Sequence, residues 1–334
     1  MKKNAFLVLV CITVTMNAQV AIDLHSHFTT PAYLQVLEKH DALLEEGFPI
    51  PTWTVEDHLQ FMSDAGIETS VLTLPAPQPY FGDKAESVAA IRETNEAGAR
   101  LKAEHPGKFL FCAALPLPDV EAAMKEAIYA LDTLHADGIK LATNVRGQYL
   151  GDPALDPLME LLSDRRAVVI LHPHKPEPYS PEVMKQTPLA MYEYLAETTR
   201  ALANMITRDV LARYPGMKVV VPHCGSYMPL AIPRMKAIYP AVRAKDMVGD
   251  IDWDANLKSL YYDLAGAASP QVIKMMLSVT EPSHIMYGTD YPYVAAPVIV
   301  QKIKQMREEL KADRELAPYV EMFMKDNAIK LFEK

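Results

Sequence analysis

The chain has 334 residues, half of them apolar and 22% charged, a composition that builds a packed core and excludes a disordered protein. Its net charge is −9 and its pI about 5.6, with no basic stripe, which excludes nucleic acid as a partner. The length suits one large α/β domain or two ordinary ones.

The first segment, "MKKNAFLVLVCITVTMNAQ", combines Lys2 and Lys3, an apolar run from Ala5 to Met16, and the small Ala18. That layout predicts a secretory signal peptide over residues 1–18, and the run is too short to span a bilayer. Val10 is too bulky to precede a lipid-modified Cys11. The expectation is an exported protein, periplasmic or extracellular, with no membrane segment in its mature form. Loss of Lys2 and Lys3 takes the charge to −9 − 2 = −11.

From residue 20 onward, short apolar runs alternate with helical patterns. "QVAIDLHSH" is followed by "ETSVLTL" (68–74), "KFLFCAAL" (108–115), "DGIKLAT" (137–143) and "AVVILHP" (167–173). Then come "MKVVVPH" (217–223), "SLYYDLAG" (259–266) and "SHIMYGTD" (283–290). Between them, stretches such as 119–136 and 153–166 repeat apolar residues at three and four, as amphipathic helices do. Eight strands alternating with helices predict parallel βαβ units closed into a (β/α)8 TIM barrel. No glycine-rich fingerprint follows the first strand, which disfavours a dinucleotide-binding sheet. No composition break divides residues 19–334, so one barrel domain is expected. Two long loops, 28–53 and 174–188, follow the first and fifth strands and would sit over the barrel mouth. Cys112 and Cys224 fall on non-adjacent strands and are expected unbridged and buried.

Barrel chemistry sits at the C-terminal ends of the strands. Those ends carry His25 and His27, His172, His223 and Asp290, five of the chain's potential ligands or acid–base groups. In "VAIDLHSHFT", residues two apart on a strand share a face, so Asp23, His25 and His27 stand in a row. Imidazole and carboxylate gathered in this way suit zinc or a similar divalent ion. His174 shares the His172 face and is a candidate for substrate contact, although a supporting or surface place is the commoner fate. Asp263 ends the seventh strand, where it can orient His223 or line the pocket. His58 reads as structural, His284 lies on the opposite, stabilising face of the barrel, and His40, His105 and His135 read as surface residues.

"DLHSH", "LHPHKP", "PHCGSYMPLAIPR" and "YGTDYP", in this order, resemble the amidohydrolase superfamily. The branch they are most similar to holds the aminocarboxymuconate-semialdehyde, γ-resorcylate and 6-methylsalicylate decarboxylases. "WTVEDHLQFMSDAGI" (53–67) and "DNAIKLF" (326–332) resemble that branch's first and final helices. The resemblance implies one divalent metal, Zn2+ with Mn2+ the alternative, on His25, His27, His172 and Asp290. It implies His223 as a proton-transfer or substrate-polarising group, and Asp290 as a ligand, a proton carrier or both. It further implies a homodimer in which Arg234 reaches the neighbouring subunit's site and holds a substrate carboxylate. Lys140 occupies the place of the bridging lysine of binuclear relatives, but this branch lacks that role, so a packed or ion-paired lysine is expected.

The muconate-semialdehyde enzyme's early arginine has no counterpart, since the first arginine here is Arg92. The loop offers Phe48 and Trp53 instead, with Tyr80, Tyr291 and Tyr293 later, which suits a flat aromatic or lactone ring. The expected substrate contacts are therefore Arg234, Trp53, His174 and Tyr293. The resulting expectation is non-oxidative decarboxylation of a small aromatic or unsaturated carboxylic acid. Its rival is hydrolysis of a lactone or amide by a metal-activated water on the same site. A barrel that holds metal and ligand without catalysis is a third class, which the intact pair His223 and Asp290 argues against.

Overall fold

The computed structural model describes residues 20–180 and 182–333. The expected signal peptide and Cys11 lie outside the described residues. Ten strands occur in chain order: β1 (Ala21–His27), β2 (Ile67–Thr73), β3 (Phe109–Ala114), β4 (Gly138–Ala142), β5 (Asn144–Val145), β6 (Gln148–Tyr149), β7 (Val168–His172), β8 (Lys218–Val221), β9 (Leu260–Asp263) and β10 (Ile285–Met286). β5 and β6 form a small antiparallel hairpin after β4. The other eight run parallel in the order β1-β2-β3-β4-β7-β8-β9-β10. Closure comes from Leu24 N donating to Tyr287 O (2.9 Å) and His27 N to Tyr291 O (2.7 Å), so the eighth strand rejoins the first. This is the expected (β/α)8 barrel.

Ile22, Leu24, Val71, Cys112, Ile170, Val220 and Met286 form one buried cluster. They come from β1, β2, β3, β7, β8 and β10, and only the interior of a closed barrel lets so many strands touch at once. The chain's last helix, Asn327–Phe332, plugs one end with Ala328 and Leu331. A larger apolar layer joins the outer strand faces to the surrounding helices. Among the described residues no helix is long and apolar enough to cross a membrane. Cys112 and Cys224 are buried and unbridged.

The helices begin where the sequence caps them. Thr54 accepts from Asp57 N ahead of the helix Val55–Ala65, Asp119 from Ala122 N ahead of Val120–Asp132, and Ser269 from Val272 N ahead of Pro270–Met276. One element was not expected: loop 28–53 contains a helix, Pro31–Lys39, capped by Thr30 and opened by proline. It buries Tyr33 and Leu37 against Leu74 and Ile91, fixing the insertion over the barrel mouth. The second insertion is tied to the first by Leu189 N donating to Glu46 O (3.2 Å).

Candidate metal centre and substrate cavity

Three imidazoles converge at the mouth of the barrel. Donor atoms of His25, His27 and His172 lie within 4.8 Å of one another, and the same holds for His25, His223 and Asp290. Each of the first three rings is oriented by its Nδ1. His25 Nδ1 donates to Asp263 Oδ2 (2.7 Å), and His172 Nδ1 donates to Pro173 O (2.9 Å). Thr73 gives its own proton to Ser26 O (3.0 Å), so its oxygen must accept from His27 Nδ1 (2.9 Å). Each Nδ1 is therefore engaged by an oxygen acceptor, which aims all three Nε2 atoms at the cluster. His25 Nε2 is buried with no protein partner. Asp290 Oδ1 stands 3.1 Å from His27 Nε2 and 3.5 Å from His25 Nε2, and its Oδ2 stands 3.9 Å from His223 Nε2.

The electrostatics call for a cation. Burial lowers His27 to about 4 and His172 well below its ordinary value, so both rings are neutral donors. Burial also acts to lower His25, but the carboxylates of Asp263, Asp290 and Asp23 override it and raise the ring to about 9. Asp290 has a fifth of its side chain exposed. Burial works against its charge, yet its contacts with His223, His27 and His25 hold it well below the usual carboxylate range. Neutral nitrogen lone pairs on His27 and His172 beside an ionised Asp290 fit a divalent metal.

The backbone is shaped for this arrangement. The register of β1 against β2 slips between Asp23 and Ser26, a bulge that re-aims side chains. The expected row is consequently broken. Asp23 accepts from Thr289 N (2.9 Å), Thr289 Oγ1 (2.6 Å) and His25 N (3.1 Å), bracing the strand, while the two histidines go to the cluster. A Cβ on Gly288 would lie 2.8 Å from His25 Cβ, so that position must stay bare. His223 (φ 56°) and Asp290 (φ 64°) both lie in the left-handed region, a cost met where function fixes the side chain. They are held there by His223 N donating to Asp263 Oδ1 (2.9 Å) and Asp290 N to His25 O (2.8 Å). Asp263 thus orients the His25 ring and the His223 backbone together.

A cavity of about 230 Å³ opens on His172, His223 and Asp290. Leu43, Phe48, Ile50, Pro77 and Val294 supply apolar wall, and Glu46, Tyr194 and Tyr293 supply polar wall. Tyr293 lies edge-on to His27 with ring centres 5.5 Å apart, and its buried hydroxyl has no partner.

The other expected substrate contacts lie elsewhere. Trp53 donates from Nε1 to His58 Nδ1 (3.0 Å) and packs on Phe28, because the capped helix start at Thr54 turns the indole outside the cavity. Tyr80 and Tyr291 also lie off its lining. His174 follows Pro173, where β7 has ended, and its ring turns toward β4. Its Nδ1 accepts from Gln78 N (3.3 Å), which leaves the ring proton on Nε2, 3.0 Å from Lys140 Nζ. That contact is a hydrogen bond only if Lys140 is a neutral amine, and burial lowers Lys140 to about 7. Lys140 is therefore packed as expected, with His174 as its partner. Arg234 is exposed on the helix Met228–Arg243 and does not line the cavity. Glu46 and Tyr194 were not singled out from the sequence, where the first insertion offered Phe48 and Trp53 and tyrosines on helices read as core or interface filler.

Residues 22–334 match the family model described as amidohydrolase. The chain belongs to the amidohydrolase family. It is 32% identical over 321 residues to the 6-methylsalicylic acid decarboxylase of Aspergillus aculeatus, covering 94% of this chain and 96% of that protein. It is 25% identical over 275 residues to the 2-amino-3-carboxymuconate-6-semialdehyde decarboxylase of Dictyostelium discoideum, covering 78% and 73%. Among solved structures, an amidohydrolase II matches with a TM-score of 0.85 and 30% identity, over 94% of this chain and all of that one. The 5-carboxyvanillate decarboxylase of Novosphingobium aromaticivorans, solved with manganese and a nitrobenzoic acid, shares the fold with a TM-score of 0.82 at 21% identity, covering 94% and 96%.

Proposed function

We propose that this protein is a metal-dependent decarboxylase that releases CO2 from a small aromatic carboxylic acid without an oxidant. The observation that carries this is a cavity the size of one ring, apolar on most sides, opening on His172, His223 and Asp290 beside the convergent donors His25 and His27. The similarity to the 6-methylsalicylic acid decarboxylase over nearly the whole chain supports it. Those four residues hold the metal, with Zn2+ the ion their donor set suits and Mn2+ the alternative. When bound, the metal supplies positive charge that anchors the substrate carboxylate and draws electron density from it.

The chain's own residues do the rest. His223, beside Asp290 and at the cavity wall, delivers a proton to the ring carbon that bears the carboxylate. The bond from that carbon to the carboxyl carbon then breaks, its electron pair returns to the ring, and CO2 leaves. His223 regains its proton from solvent. Phe48, Ile50 and Val294 exclude bulk water, and the unpartnered Tyr293 hydroxyl is placed to bond a polar group of the substrate. Arg234 stands with Leu230 and Ile238 exposed on one helix, a face that supports pairing of two subunits and delivery of Arg234 to the partner's site. Incubation with 2-hydroxybenzoates should release CO2 and the corresponding phenol. Ring opening of a lactone without CO2 release from any acid would overturn the proposal in favour of hydrolysis.

A further inference from the structure

Building on the decarboxylation proposed above, we infer that Glu46 and Tyr194 form a substrate-reading wall. The acid they select carries a single carboxylate and a ring hydroxyl that donates to Glu46. Glu46 sits on the insertion after β1, is 7% exposed, and lines the cavity among Leu43, Phe48 and Ile50. A carboxyl is a poor choice for such a wall unless it binds something, because burying it costs free energy that a leucine would not. Burial raises it to about 7, with the neighbouring Glu45 charge adding to the effect.

Its protein partners leave acceptor capacity unspent. Tyr194 donates to Oε2 (3.1 Å), and Lys175 N makes a long contact to Oε1 (3.4 Å). A carboxylate offers about four lone-pair sites. The Tyr194 ring lies 6.0 Å from that of His172, so the wall is one side chain away from the metal donors. A ring anchored there by its carboxylate brings its other substituents to Glu46. Among the described residues of the subunit itself neither lysine nor arginine lines the cavity, so a second carboxylate turned toward Glu46 would face a carboxyl rather than a cation. A hydroxyl meets an acceptor, and a methyl group leaves that acceptor unpaired.

The test is a panel of 2-hydroxybenzoates carrying either hydroxyl or methyl at each other ring position, read as kcat/KM for the wild type, Glu46→Gln and Glu46→Leu. The wild type should prefer hydroxyl over methyl at one position by ~10-fold or more. Glu46→Leu should bring that ratio to about one, and Glu46→Gln, which keeps the size and an acceptor for Tyr194, should leave it between the two. A purely structural role would slow both members of each pair alike, so an unchanged ratio in the variants overturns the inference. Efficient turnover of a ring dicarboxylate by the wild type would overturn it as well. Should the wild type release no CO2 from any member, the decarboxylase proposal itself fails, an outcome distinct from a wild type that decarboxylates without this preference.

Discussion

Replacing Asp263 by asparagine isolates what one buried carboxylate does for the metal centre. Its Oδ1 accepts from His223 N (2.9 Å) and Ala265 N (3.0 Å), and its Oδ2 accepts from His25 Nδ1 (2.7 Å). An asparagine keeps its carbonyl on the two backbone donors, so the loop after β8 stays in place. Its amide then faces His25 Nδ1–H, donor against donor. The ring relieves this by moving its proton to Nε2, where it caps the lone pair meant for the metal. Loss of such a supporting contact weakens metal binding by ~10–100-fold, about 1.4–2.7 kcal/mol. Asp263→Ala is different in kind, because it also strands two buried N–H groups at about 1–3 kcal/mol each.

The two effects separate in two measurements. A chelator competition should show Asp263→Asn losing metal at lower chelator concentration than the wild type, with a smaller drop in the melting temperature of the metal-free protein than Asp263→Ala, because only the His25–Asp263 ion pair is lost. Asp263→Ala should lose several degrees in the metal-free protein too. Wild-type metal affinity in Asp263→Asn would refute the assignment of Asp263 as the group that sets the His25 tautomer.

Substituting His172→Ala should abolish stoichiometric metal and CO2 release together, and an active metal-free variant would sink the site. Gly288→Ala pushes a methyl group to 2.8 Å from His25 Cβ, so metal content should fall even though the change is far smaller than removal of a ligand. Arg234→Ala, exposed and outside the lining of its own cavity, should slow turnover only if a partner subunit supplies it; sedimentation would show a dimer in both forms, and a monomeric wild type refutes the pairing. Glu46→Gln changes the pH dependence of stability. The native carboxyl titrates near 7 against an ordinary value of 4.5, so the native state favours the protonated form. That stabilisation is complete below 4.5 and is lost as pH rises to 7. Above pH 7 the wild type buries a charge that glutamine does not, and the variant should be the more stable in urea by up to about 3 kcal/mol; equal stability at pH 8 refutes the burial cost.

Much of the barrel was legible in the sequence because each interior strand is a short apolar run ended by a polar residue. "AVVILHP" became β7, Val168–His172, with its histidine at the expected end. The last strand was read as 283–290, but only Ile285–Met286 pair as strand, and Asp290 is placed by His25 O instead. The five metal and proton-transfer candidates could be found because their residue types are rare and sit at strand ends. Asp23 was misplaced because period-two reasoning assumes an unbroken strand, and a bulge carries no signature in "AIDLHSH". Trp53, His174 and Glu46 show a second reason. Each lies on an insertion, where side-chain direction depends on contacts outside the local pattern, often far along the chain, such as His174 with Gln78 or Glu46 with Tyr194.

The same division runs through the chemistry. The proposed metal donors and His223 belong to strands or to the turns directly after them, and their positions are fixed by Asp263, Thr73 and Pro173, also at strand ends. Leu43, Glu46, Phe48 and Ile50 come from the insertion after β1, Ala190 and Tyr194 from the segment after β7, and Ala76, Pro77, Tyr293 and Val294 from the segments after β2 and β10. Changes within 40–50 and 188–194 should therefore alter which acid is bound while leaving metal content intact. Changes at the strand ends should cost the metal before they alter any preference among substrates.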